Sequence, residues 1–219
     1  MGHELYCEFL VNSNRKSAYW WPLIFEAMHW RSFDFSAPGE GAGTGYYYYI
    51  SLSNETDTDF VKASFRTTWD AINTEASQML ISLWYADQQS FPIDVSIEEK
   101  EVGMVKILLS LNDAYLIDLP LEQASERLKQ MLKCAKSIDE ICKPFIGKMY
   151  WEDVNSPWAL FGDPAEVSSF MKSEQEGMKT KFIEQHQPEG RLIYLLDPVP
   201  VKVRGGWDLV SLTEHSHLD

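Results

Sequence analysis

Two pairs of short alternating segments, each joined by a few turn residues, restrict what this chain can fold into more than anything else in it. Ile93 to Ile97 and Met104 to Leu111 alternate apolar and polar residues around a charged loop, Glu98 to Gly103. Val199 to Val203 and Trp207 to Leu212 flank Arg204-Gly205-Gly206 in the same way, which is hairpin chemistry. Glu4 to Val11 alternates as a further strand, and Arg191 to Leu196 reads as another. Asn112-Asp113 is a turn signal that predicts a third meander strand over Ala114 to Leu119.

Helical spacing fills the intervals. Phe65, Trp69, Ile72, Ala76, Met79, Leu80 and Leu83 recur at steps of three and four behind capping residues at Thr56 to Asp59, and Gln88 to Pro92 ends the run. Asn12-Ser13-Asn14 supplies turn and capping chemistry for a helix from about Arg15, and Pro22 suits the first turn of a helix starting near Trp21. Pro120 opens a helix that carries Leu121, Ala124, Leu128, Met131 or Leu132, and Ala135 on one face, with Ser137 and Pro144 marking a break or a second short helix. Ala165 to Gln185 reads as a polar helix interrupted at Gly177. Hairpins separated by helices predict an α+β fold, a mainly antiparallel sheet of meander and hairpins packed against two or three long helices. One domain over residues 1–219 is expected, with Glu152 to Pro157 as the alternative boundary, and 219 residues bury a core without staples.

The stretch Gly39-Glu40-Gly41-Ala42-Gly43-Thr44-Gly45 invites comparison with a phosphate-cradling loop. A dinucleotide fingerprint needs a glycine in the sixth position and a helix after it. Here the sixth position after Gly39 is Thr44, and four tyrosines, Tyr46 to Tyr49, follow as a strand. The glycines are read as a supple turn.

The formal net charge is −14, with residues 57–101 and 150–219 at −6 each and residues 102–149 at +1. Such a balance repels phosphate backbones, so no nucleic-acid partner is expected, and it steers cationic partners inward. No membrane partner is expected either, because the apolar runs are broken by Lys106, Asp113 and Asp118, and Met1 to Val11 has no apolar leader region. Cys7, Cys134 and Cys142 fit neither a metal knuckle nor a disulfide framework and read as reduced thiols in a cytoplasm.

Catalytic signals are weak. Pro92-Ile93-Asp94 with Glu98-Glu99-Lys100 loosely resembles the PD-(D/E)xK nuclease pattern, but only three residues separate the two acids and Lys100 falls in a turn. His215 and His217 stand near Asp219 without a zinc-protease motif, and no nucleophile elbow is present. No catalytic residue, metal ligand or cofactor is assigned.

The candidate partner contacts are Glu98, Glu99 and Glu101 at the hairpin tip, and Trp151, Glu152, Asp153 and Trp158 in the segment Met149 to Trp158. Aromatic anchors ringed by carboxylates suit an Arg or Lys of a partner. In profile the chain resembles bacterial toxin-immunity proteins, which are commonly small, acidic and cytoplasmic. That resemblance implies a non-enzymatic protein that masks a basic partner. An enzyme with a site assembled from distant residues and a structural subunit of an oligomer, such as a homodimer, are the alternatives.

Overall fold

The structure is a computed structural model and describes residues 4–29, 31, 33–34, 46–51, 60–64, 79–85, 91–100, 103–154, 156–174, 182–187 and 190–212. Its centre is β1 (Glu4–Asn12), hydrogen-bonded along both edges. On one side it pairs with β7 (Met104–Asn112), followed outward by β6 (Pro92–Glu99), β5 (Met79–Tyr85), β3 (Tyr46–Ser51) and β4 (Phe60–Ser64). On the other it pairs with β8 (Ile146–Trp151), followed by β9 (Ala159–Gly162), β11 (Leu192–Leu196) and β10 (Phe182–His186). With β2 (Phe33–Asp34) beside β5, this makes an 11-stranded antiparallel sheet. A separate hairpin pairs β12 (Val199–Val203) with β13 (Gly206–Val210).

The sheet has two unlike faces. Leu5, Cys7, Phe9 and Val11 of β1 point into the main core with Ile107, Leu109, Ile93 and Val95 of its neighbours. That core is closed by α1 (Ser17–His29) and α3 (Leu121–Cys142), which pack on each other. At the β9–β11 end of the opposite face, α4 (Pro164–Glu174) sets Val167 and Met171 on Leu160. Among the described residues there are four helices, of which α2 (Ala114–Ile117) is a single turn. The α+β class and antiparallel sheet agree with the sequence reading, whereas two or three long helices do not describe this set.

Several elements differ from expectation for identifiable reasons. Residues 79–85 and 60–64 are strands rather than the ends of one long helix, and residues 65–78 lie outside the described set. The run from Met79 to Tyr85 fits a period of two as well as one of three to four. Pairing of β5 with β3 and β6 selects the strand, burying Ile81 and Leu83. Ala114 to Leu119 does not form a third meander strand, because β6 and β1 already occupy the two edges of β7. The Asn112 side chain instead accepts the Ala114 amide at 2.9 Å, and α2 follows.

Helix α1 begins at Ser17, so Pro22 sits at its sixth residue, on the exposed side, while Trp20, Trp21, Ile24 and Met28 face the core. Helix α3 continues through Ser137, whose hydroxyl accepts Arg31 Nε at 2.6 Å, and ends at a left-handed Lys143 ahead of Pro144. Phe182 to Gln185, expected as helix, pair with β11 as strand. The segment at 152–157 joins two neighbouring strands of one sheet, with Trp158 N–H donating to Met149 C=O at 2.8 Å. The β12–β13 hairpin forms as expected. Gly39 to Gly45 lie outside the described residues.

Packing is tight where β1 meets β8 and β9. Phe9, Gly147 and Phe161 lie in one register row, and the two rings meet at 5.6 Å across the glycine. A Cβ on Gly147 would stand 2.4 Å from Phe9 Cδ1. Gly147→Ala is therefore expected to cost about 1–3 kcal/mol, read as a lower urea midpoint; an unchanged midpoint would show that Phe9 moves aside freely.

Candidate functional site

The sheet register gathers one polar row on the face away from the main core. Ser82 of β5 lies opposite Asp94 of β6, Asp94 opposite Ser110 of β7, Ser110 opposite Tyr6 of β1, and Tyr6 opposite Tyr150 of β8. Strand alternation puts them there: the odd positions of β1 fill the core, so its even positions, Glu4, Tyr6, Glu8 and Leu10, take the other face half-buried. The next row runs Ser96, Leu108, Glu8, Lys148 and Leu160.

Hydrogen bonds tie phenols to carboxylates along this row. Tyr6 bonds to Glu4, and its phenol is pushed up to about 12 by burial and then by the Glu4 and Glu152 charges. Glu152 lies close because its Oε2 accepts the Glu4 amide at 3.2 Å. Tyr150 bonds to Glu8, and burial, followed by the Glu8 charge, raises its phenol. The two rings stand 5.6 Å apart with a 41° tilt. Lys148 Nζ lies 3.6 Å from Glu8 Oε1 and 5.2 Å from the Tyr150 ring centre. At the other end of the row, Ser82 donates to Asp94. Burial raises the Asp94 carboxyl against the pull of that bond.

A face built this way suits a cation. Ionised carboxylates keep acceptor capacity beyond one phenol bond, a guanidinium can engage them bidentately, and tyrosine rings add cation–π attraction. Half-burial makes each contact worth more than in open water.

The candidates named from sequence are placed differently. Trp151 and Trp158 are each 1% exposed and belong to the main core, so neither ring offers a surface to a partner. Trp151 also donates its indole N–H to Pro200 C=O at 2.9 Å, seating the β12–β13 hairpin. Burial works to raise Glu98, but hydrogen bonds from Lys100 and Lys106 outweigh it and hold the carboxyl below its usual range. Glu99 accepts both the amide and hydroxyl of Ser17, at 2.9 and 3.1 Å, and so caps the start of α1. Asp153 shares Lys202 with Asp113, each at 3.1 Å. Glu152 is exposed beside Tyr6, and Glu101 lies outside the described residues.

The sequence reading does not find Tyr6, Ser82 and Ser110; it meets Tyr150 only as part of the segment Met149 to Trp158 and Asp94 only in a nuclease-like pattern. These residues are scattered from position 6 to position 150, and only register brings them together. The available signal was the polar phase of ELYCEFLV, in which Glu4, Tyr6 and Glu8 fall on one side.

The three cysteines are buried free thiols, raised by burial, Cys142 to about 12. Among the described residues no group of three or more His, Cys, Asp or Glu could hold a metal ion, and no helix is long and apolar enough to cross a membrane.

No protein-family model matches the chain, and no curated protein matches it. A solved structure of the Pseudomonas aeruginosa T6SS protein PA0821 is similar over 88% of this chain, with 6% identity and a TM-score of 0.44. This chain spans 65% of that one. At that level the likeness assigns no role.

Two measurements check the chemistry of the site. Asp94→Asn is expected to raise the melting temperature at neutral pH and to lose that advantage in acid. Because the folded carboxyl is raised, the wild type loses stability as pH climbs from about 3.9 through the folded value; a pH-independent difference between the two proteins would contradict this. A thiol reagent should modify Cys7, Cys134 and Cys142 only on unfolding, and rapid labelling of the native protein would show that one of them is open.

Proposed function

We propose that this chain is a non-enzymatic binding protein that receives a basic protein partner on the tyrosine and carboxylate face of its sheet and masks it, in the manner of bacterial toxin-immunity proteins. The observation that carries the reading is the row from Asp94 through Tyr6 to Tyr150, with Glu4, Glu8 and Glu152 around it. The net charge of −14 adds long-range attraction for such a partner. Three buried free thiols fit a reducing cytoplasm.

Placing the contact on this face also accounts for Asp94. A half-buried carboxyl whose charge is disfavoured in the free protein gains most when a partner's cation arrives. The enzyme alternative would use the same Asp94 and Ser82 as a proton-transfer pair, and it requires turnover that Asp94→Asn abolishes.

The test is affinity capture of the basic partner, identified by mass spectrometry, followed by association kinetics with charge-reversed variants. Glu4→Lys with Glu152→Lys is expected to slow association at low salt by about tenfold or more, with little change in melting temperature. Glu122→Lys with Glu140→Lys, on exposed positions of α3, changes the net charge equally and serves as the control. Equal slowing by both pairs would reduce the effect to overall charge and remove the face from the proposal.

A further inference from the structure

Residues 102–149, which carry a net charge of +1 in this acidic chain, supply most of the lining of a cleft of different character. It has a volume of about 440 Å³ and opens between α3 and β10. Lys129, Lys133 and Lys136 line one wall, Gln185 of β10 faces them, and Leu132 and Leu212 contribute apolar surface. The volume falls within the range of small-molecule sites, about 300–1,000 Å³.

The three lysines follow one another at helical steps of four and three, so their stems rise along the same side of α3. Like charges at that spacing destabilise a helix by a few tenths of a kcal/mol per pair. The carboxylate of the cleft, on Glu126, accepts Gln130 Nε2 at 2.8 Å. Lys136 Nζ is held against Gln185 Oε1 at 3.0 Å, which fixes one end of the stripe. Among the described residues, neither Lys129 nor Lys133 has a carboxylate in ion-pair range.

We infer that this cleft binds a small phosphate-bearing anion with two or more charged groups, at a site separate from the sheet face and independent of the role proposed for it. Lysine is a point-charge donor suited to phosphate oxygens. From Lys129 to Lys136 the helix rises about 10 Å. Single phosphates are too short to reach both ends, whereas a linear oligophosphate or a bis-phosphorylated metabolite spans the stripe.

Titration calorimetry of the intact protein with inorganic tripolyphosphate, at low ionic strength, tests the inference. The wild type is expected to bind it at least tenfold more tightly than orthophosphate, and Lys133→Glu to weaken it by tenfold or more. Lys172→Glu, an exposed position on α4, makes the same change in net charge and should leave binding within twofold. Circular dichroism of both variants checks that they fold, and Lys129→Ala with Lys133→Ala offers a milder pair. Three outcomes would each overturn the site: no binding at millimolar probe, equal weakening in the Lys133 and Lys172 variants, or orthophosphate binding as tightly as tripolyphosphate.

Discussion

The pairing of β1 along both edges is the constraint on which the rest of the structure depends. Its partners, β7 and β8, begin about a hundred residues or more further along the chain, and they link the two halves of the sheet only through it. Register decides what each half presents. With Leu5, Cys7, Phe9 and Val11 in the core, Glu4, Tyr6 and Glu8 take the other face. A slip of one residue would exchange the two sets, burying three polar side chains and exposing Phe9. Gly147 helps hold the register, because only a residue without a side chain lets Phe9 reach Phe161.

The charged residues divide into two populations. One set joins elements. Asp139 of α3 accepts from both Nε and Nη2 of Arg191 at 2.8 and 2.6 Å, just ahead of β11; burial pushes that carboxyl up while the guanidinium pulls against it. Lys202 bridges Asp113 and Asp153, fastening the β12–β13 hairpin to the main sheet, and Glu99 caps α1. Removing Arg191 would leave the Asp139 charge buried and uncompensated, at a cost of about 3–5 kcal/mol. The other set, Glu4, Glu8, Asp94 and Glu152, is engaged with phenols, a lysine, a serine and a backbone amide on the second sheet face. Acidity alone therefore could not locate the site, since Glu98, Glu99 and Asp153 belong largely to the first population.

Local pattern carried the strands whose alternation has a single interpretation. Glu4 to Val11, the β6–β7 hairpin and the β12–β13 hairpin were legible for that reason, and Pro120 correctly marked the start of α3. Met79 to Tyr85 fits both periods, and only the neighbouring strands β3 and β6 decide it. Trp151 and Trp158 look like surface anchors in a loop sequence. They are core because β8 continues through Trp151 and the backbone of Trp158 pairs with both Met149 and Leu196. The polar row was the least legible part, since each member is an ordinary strand residue until five strands align.

Hydroxyl-radical footprinting of the protein with and without its captured basic partner tests the central claim most directly, because it reads individual aromatic side chains. The account requires oxidation of Tyr6 and Tyr150 to fall on binding, while Trp207, half-exposed on β13, is unchanged. Protection of Trp207 with Tyr6 and Tyr150 oxidised as in the free protein would contradict it and move the interface to the hairpin.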